Sequence, residues 1–198
     1  MPRLAPLAAL LLLAACAEPD APAPGPAAPA DTRPDDLGGP AACTLDVLAF
    51  EAAPGDAAAG NASLNVTARN LGAGTCLLRG FPTIALLGAD GDPLSLETDP
   101  STGTYFLPEQ AVQPVLVPPS GTAFFQIAYR SAATSGEACP AAERLVVATE
   151  VVEPDLSASP AEVAVRLAPC GEAVRVSAFR EGTYEPAPIE EVTPEPGL

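Results

Sequence analysis

The most reactive side chains in this sequence are those of its five cysteines. Four of them are widely spaced within one stretch of the chain, at Cys43, Cys76, Cys139 and Cys170. An even number of distant cysteines is typical of disulfides in an oxidising compartment, whereas a four-cysteine metal site needs close CxxC pairs. Three pairings are open, and Cys43–Cys76 with Cys139–Cys170 is favoured because each bond closes a loop of about 30 residues, worth roughly 3 kcal/mol. We therefore expect two disulfides and no metal or other cofactor.

The fifth cysteine, Cys16, ends an apolar segment that follows Arg3. This segment, residues 4–13, is too short for a bilayer core that needs roughly 20 apolar residues, and it is typical of a secretory signal. Its end, Leu13-Ala14-Ala15-Cys16, resembles the bacterial lipobox, in which cleavage precedes a cysteine that carries lipid. We predict a lipoprotein signal peptide at residues 1–15 and lipidation of Cys16. The alternative is an ordinary cleaved signal with an incidental cysteine.

Catalytic side chains are sparse, because histidine, lysine and tryptophan are absent from the sequence. Their absence excludes histidine-based acid–base catalysis, Ser-His triads and lysine Schiff bases. Carboxylates remain, and Glu97 with Asp99, or Glu150 with Glu153 and Asp155, could supply the pair that glycoside hydrolysis needs. Such pairs arise by chance in an acidic chain, so solvated surface charge is the favoured interpretation. We expect no enzyme, with a carboxylate-dependent envelope hydrolase acting on glycans as the alternative.

The charge balance restricts the partners. Acidic residues outnumber basic ones by 25 to 9, for a formal net charge of −16. This excess opposes binding to nucleic-acid phosphates and to anionic lipid headgroups. We therefore expect no nucleic-acid partner, and membrane attachment only through the N-terminal lipid.

Two segments have few of the large apolar residues that a folded core requires. Residues 16–42 are rich in proline and alanine, and residues 181–198 form an acidic tail. Neither can bury enough apolar surface to offset its chain entropy. We predict a disordered tether and a disordered tail around a domain at residues 43–180.

Within that domain, apolar residues alternate with polar ones, which is the period of a β-strand with one buried face. Alternation is clear around residues 64–68, 163–167 and 174–176, and further strand candidates lie at 44–50, 83–87, 93–97, 112–117, 122–130 and 144–151. No segment shows a sustained helical period. The pattern predicts an all-β fold, an antiparallel β-sandwich, with a barrel as the alternative.

Turn-forming residues punctuate the chain between residues 70 and 91. A strand ends at Asn70, glycines including Gly74 turn the chain, and Gly80 and Pro82 lead into a strand that closes in a hairpin turn at Asp90 and Gly91. Asp90 and Asp92 could also face a calcium ion, but the calcium-loop pattern needs more acidic residues.

This order of residues, followed by a turn containing Gly121 and by two late cysteines, resembles domain-of-unknown-function family 4232 over residues 43–178. The resemblance implies an immunoglobulin-like sandwich, in secreted or lipid-anchored bacterial proteins. It implies no established activity.

The best candidates for an exposed contact patch are Tyr105, Phe106 and Leu107, in the long irregular segment 99–113. The alternative is a loop folded back over one edge of the sandwich. Together these features predict an extracytoplasmic lipoprotein, periplasmic or at the cell surface, that acts as a non-catalytic binding or structural module. Its expected partner is an envelope protein or a cell-wall component, and the sequence does not indicate an oligomeric state.

Overall fold

The computed structural model describes residues 39–134, 139–148 and 160–185. The predicted signal peptide, Cys16, the acidic group at Glu150, Glu153 and Asp155, and most of the tether and tail lie outside these residues. None of the described residues forms a helix with the length and apolar character to cross a membrane.

The described residues form a short 3-10 helix, Leu45–Val47, and eleven β-strands. The strands are β1 (Leu48–Ala58), β2 (Asn61–Asn70), β3 (Cys76–Leu78), β4 (Thr83–Leu87), β5 (Glu97–Ser101), β6 (Val115–Val117), β7 (Thr122–Arg130), β8 (Ala142–Ala148), β9 (Ala161–Leu167), β10 (Cys170–Ser177) and β11 (Arg180–Glu181). The prediction of an all-β protein is confirmed.

The strands form three sheets. The largest has the order β1-β2-β7-β10-β5, with β11 also paired to β7, and the others are β4-β8-β9 and β3-β6. All pairs between named strands are antiparallel except β5 with β10, which run parallel. The antiparallel prediction therefore holds for the sheets in general but not for this pair.

One hydrophobic core lies between the sheets. Alternate residues of the central strands supply it, such as Val66 of β2, Phe125 and Ile127 of β7, and Val176 of β10. From the smaller sheets, Leu145 is among the buried contributors. Since the removal of apolar surface from water drives folding, the period-two pattern determines which face of each strand turns inward.

Two predicted strands, 83–87 and 122–130, coincide with β4 and β7. Two others differ in extent, and one is wrong. The 44–50 candidate begins with the 3-10 helix, and its strand continues to Ala58. The pairing of this strand with β2 changes register between Pro54 and Ala57. The 93–97 candidate is wrong, because Pro93 makes only an isolated bridge and β5 begins at Glu97. The 112–117 candidate is shorter than predicted, with β6 confined to its last three residues.

The favoured disulfide pairing is confirmed. Cys43 is bonded to Cys76 with their Cα atoms 4.8 Å apart, and Cys139 is bonded to Cys170 with theirs 4.2 Å apart. The first bond connects the segment before the 3-10 helix to β3, and the second connects the segment before β8 to the start of β10. Such bonds indicate an oxidising, extracytoplasmic environment.

Candidate functional site

The outer face of the largest sheet, opposite the core, carries a row of buried polar side chains. Asn65 of β2, Gln126 of β7 and Ser177 of β10 lie on this face and are buried. The expectation of one buried face per strand is therefore wrong for these central strands. Their polar residues are buried because another part of the chain covers them.

These buried polar groups are joined by hydrogen bonds. The Gln126 side chain donates from Nε2 to Asn65 Oδ1 over 2.9 Å, and its Oε1 accepts from the hydroxyl of Thr104. The Gln126 backbone N–H donates to Ser177 Oγ over 2.9 Å. A buried polar network whose members have partners holds one arrangement of its side chains, because an unpaired member would be costly. Thr104 is thus held above the centre of the sheet.

Thr104 belongs to the covering segment, residues 102–111, which we call the cover loop. Its Oγ1 also accepts from the backbone N–H groups of Phe106, at 3.2 Å, and Leu107, at 3.0 Å. At the far side, Arg180 Nη2 donates to the carbonyl oxygens of Thr102, at 3.0 Å, and Pro108, at 2.7 Å. The cover loop is therefore fastened to both β7 and β11.

The predicted contact patch is divided by this arrangement. Leu107 is only 7% exposed, so its assignment to an exposed patch is wrong. Its aliphatic side chain is buried in the domain because removing apolar surface from water is favourable. Tyr105 is 60% exposed, and the partly buried ring of Phe106 meets it edge to face with the centroids 5.0 Å apart. Tyr105 is therefore an exposed aromatic side chain on a fastened loop.

A groove of about 240 Å³ lies beside Tyr105. Its floor includes Ala128 of β7 and Ala173 of β10, and Asn61, Asp99 and Arg175 also line it. The register explains the grouping, because Arg175 lies opposite Ala128 on one side and opposite Asp99 on the other. The small alanine side chains leave a depression between larger polar neighbours.

Two of the described residues that line the groove form an ion pair. Arg175 Nε lies 3.4 Å from Asp99 Oδ2, and both side chains are about half exposed. An exposed pair of this kind contributes at most about 1 kcal/mol to stability, since solvent screens it. Its main effect is to place a donor and an acceptor together at the groove.

Two other cavities are larger. One of about 460 Å³ is lined by Arg180 and by one acidic residue, Glu181. Burial lowers the pKa of the Arg180 guanidinium. The other, of about 550 Å³, lies along β8 and β9 and includes Glu143. In the described part of the chain, each of the three cavities therefore brings in one acidic side chain rather than two.

The predicted carboxylate pair occupies one strand. Glu97 and Asp99 both lie on β5, and Asp99 is the member that lines the groove.

Among residues 39–134, 139–148 and 160–185, no group of three or more histidine, cysteine, aspartate or glutamate side chains could hold a metal ion.

Comparison with known proteins places this domain in a family. A family model described as Domain of unknown function (DUF4232) matches residues 43–180, more than two thirds of the chain. The chain belongs to the DUF4232 family. No curated protein and no solved structure matches it.

Among the turn residues of this DUF4232 domain, Asn70 makes the most contacts to the backbone. It is fully buried at the end of β2, where its Nδ2 donates to the carbonyl oxygens of Gly74 and Val117, each at 2.8 Å. Its Oδ1 accepts from the N–H of Gly72, also at 2.8 Å. Asn70 thus joins the turn that follows β2 to the end of β6.

The other turn residues shape the backbone around β4 and β7. Gly80 and Gly91 have φ angles of +67° and +90°, a region in which residues with a Cβ are strained, and buried Pro82 directly precedes β4. The Asp90 carboxylate accepts the N–H of Asp92 over 3.2 Å, so it serves the turn itself. In a different turn, which precedes β7, a Cβ at Gly121 would lie 2.6 Å from the ring of Pro118.

Tyr184 makes two further contacts on the outer face of the DUF4232 sheet, and Gly55 lies close to a side chain of the neighbouring strand. The Tyr184 hydroxyl donates to the carboxylate of Asp56, and its ring meets Phe124 edge to face with the centroids 6.0 Å apart. At Gly55, a Cβ would lie 2.2 Å from the Ser63 hydroxyl oxygen. The described end of the chain therefore packs against this face as well.

Sequence analysis missed most of the groove. The sequence gives no reason to assign Asn61 or Arg175 to a groove, because each stands in a strand where polar residues are expected to face solvent. Asp99 is named from the sequence as a possible partner of Glu97 in a carboxylate pair, not as the partner of Arg175. The available signal was the set of amide and hydroxyl side chains at residues 65, 126 and 177, but it has meaning only once the strand order is known.

Proposed function

We propose that the protein is a lipid-anchored cell-envelope protein whose DUF4232 domain is a non-catalytic binding module, with the groove beside Tyr105 as its binding surface. In this proposal the lipid on Cys16 holds the chain at the membrane and the segment up to residue 42 lets the domain reach its partner. That partner is an envelope protein or a component of the cell wall.

The observation that carries the proposal is an exposed aromatic side chain on a loop fastened before any ligand arrives. Tyr105 is 60% exposed. The loop around it is held by the hydrogen bond from the Leu107 N–H to the Thr104 hydroxyl and by the one from Arg180 to the Pro108 carbonyl oxygen. Binding costs less free energy when the contacting residues are already ordered, and tyrosine offers a large contact area with few rotatable bonds. A fastened tyrosine beside a groove therefore suits recognition.

The grouping of acidic residues supports binding over hydrolysis. Glycoside hydrolysis requires two carboxyl groups about 5–10 Å apart across the sugar bond. In the described part of the chain, the groove is lined by one acidic side chain, Asp99, whose carboxylate is paired with Arg175. The reaction proposed as the alternative function would need a second acid there.

The anchor is tested by fractionation. In a bacterial host, the wild-type protein should partition into the membrane fraction, and Cys16→Ser should move it to the soluble fraction because the lipid attachment is lost. An unchanged distribution of the variant would remove the anchor from the proposal.

The binding surface is tested by co-sedimentation of the Cys16→Ser protein with envelope fragments stripped of their own lipoproteins. Tyr105→Ala should weaken binding about tenfold or more, since truncation of a central aromatic contact commonly costs 2 kcal/mol or more. Leu116→Ala is the matched control, because Leu116 is 51% exposed but lies on β6 outside the groove. Equal binding by both variants would assign the partner to another surface.

A further inference from the structure

We infer that the groove beside Tyr105 binds an uncharged sugar ring of a glycan. This inference rests on the proposed function and specifies its ligand. It is drawn from the volume of the groove, the types of side chain around it and their charges.

The volume suits one ring rather than a larger ligand. At about 240 Å³ the groove is smaller than the roughly 300–1,000 Å³ of pockets that enclose drug-sized molecules. Its floor lies on the sheet at Ala128 and Ala173, so a ring could rest there while the rest of a glycan continues outside.

The aromatic ring suits one face of a sugar. A pyranose ring has an apolar face of C–H groups, and tyrosine combines an apolar ring with a polar hydroxyl at its tip. Phe106 meets Tyr105 edge to face and so supports its ring from the side. The exposed ring of Tyr105 can therefore cover one face of a sugar while its hydroxyl stays in water.

The polar side chains suit the edge of a sugar. Each sugar hydroxyl both donates and accepts hydrogen bonds, so a row of hydroxyls needs donors and acceptors side by side. Arg175 only donates, ionised Asp99 only accepts, and the Asn61 amide does both. Within the described residues, Arg175 and Asp99 contact each other only through Nε and Oδ2, so their other polar atoms remain for a ligand.

The charges favour an uncharged ligand. Arg175 and Asp99 cancel each other at the groove, and the chain carries a formal net charge of −16, which repels anions approaching the surface. Among the described residues that line the groove, Asp99 is the only acidic one, and a cationic ligand would meet the guanidinium of Arg175 directly beside it. Neither an anionic nor a cationic partner matches this site.

The cavity beside Arg180 differs from the groove in the exposure of its aromatic side chains, because Phe124 and Phe179, which line it, are only 7% and 3% exposed. Arg180 Nη2 is committed to the carbonyl oxygens of Thr102 and Pro108, and Glu181 lines the same cavity. Arg180 therefore positions the cover loop, whereas the side chains around Tyr105 face a potential ligand.

The test uses isothermal titration calorimetry on the full-length Cys16→Ser protein. The probes are the neutral tetrasaccharides of glucose and of N-acetylglucosamine, with an oligogalacturonate as the anionic probe and an oligolysine as the cationic probe. We expect at least one neutral tetrasaccharide to bind, and neither charged probe to bind at the groove.

Three variants connect binding to the groove. Tyr105→Ala should weaken sugar binding at least tenfold, Tyr105→Phe should retain most of it because the ring remains, and Arg175→Ala should weaken it several-fold. Leu116→Ala should bind as the parent does. Circular dichroism of each variant checks that the exposed substitutions leave the fold intact.

The inference is overturned if neither neutral tetrasaccharide binds at concentrations up to about 10 mM, a limit that corresponds to a very weak complex. It is also overturned if binding is unaffected by Tyr105→Ala, or if a charged probe alone binds in a Tyr105-dependent way. If envelope fragments still bind in a Tyr105-dependent way while the sugars do not, only the sugar assignment fails. If the envelope fragments also bind independently of Tyr105, the proposed binding surface fails with it.

Discussion

Replacement of Asn70 by alanine should lower the free energy of unfolding by about 3–5 kcal/mol. The side chain makes three hydrogen bonds of 2.8 Å to backbone groups, and the one to the Val117 carbonyl is fully buried. A buried polar group left without a partner costs about 1–3 kcal/mol, and the two partly buried bonds add about 1 kcal/mol each. Since domains of this kind have about 5–15 kcal/mol of stability in total, the loss should be a large fraction of it.

The measurement is urea unfolding of the disulfide-bonded protein, followed by far-ultraviolet circular dichroism. Asn70→Asp should be at least as destabilising as alanine, because its second oxygen would face the carbonyls of Gly74 and Val117. Leu71→Ala is the matched control at the next position, where the side chain is 65% exposed and the change should be within about 0.5 kcal/mol. A loss below about 1 kcal/mol for Asn70→Ala would refute the assignment of these hydrogen bonds to stability.

Three further predictions concern stability. Replacing Cys139 and Cys170 together with serine should cost about 3–4 kcal/mol, because their bond spans a sequence separation of 31 and restricts the unfolded chain; urea midpoints equal to those of the parent would contradict this. Gly55→Ala should cost about 1–3 kcal/mol, because a Cβ there lies 2.2 Å from a hydroxyl oxygen, whereas Gly74→Ala, with nothing within 4 Å, should be close to neutral in the same assay. Burial, followed by the hydrogen bond to and the charge of its aspartate partner, raises the pKa of Tyr184 from 10.0 to about 12. Stabilisation from this shift is therefore present below pH 10 and is lost as the pH rises to about 12, and Tyr184→Phe should reduce the loss of stability over that interval; parallel pH profiles for the two proteins would show that the contact contributes nothing.

Local patterns predicted most of the strands and favoured the observed disulfides, although the 93–97 strand candidate is wrong. The alternation around Val66 and Val176 reflects a side-chain period that each strand shows by itself, so the inward-facing residues could be predicted without any partner strand. The observed disulfide pairing is the one of three open pairings that the loop lengths favoured, and the turn residues reflect the backbone conformations that glycine and proline allow.

The groove was determined only by the tertiary structure. Asp99 and Arg175 are 76 residues apart in the sequence and meet because β5 pairs in parallel with β10, a neighbour relationship that no local pattern encodes. Likewise, Gln126 is buried because Thr104 crosses above it, although a glutamine in an alternating strand is expected to face solvent. The sequence by itself determined most of the strands, a preference for one disulfide pairing and the absence of histidine chemistry. Which polar residues lie next to one another, and which of them water can reach, depended on long-range pairing and on the path of one covering loop.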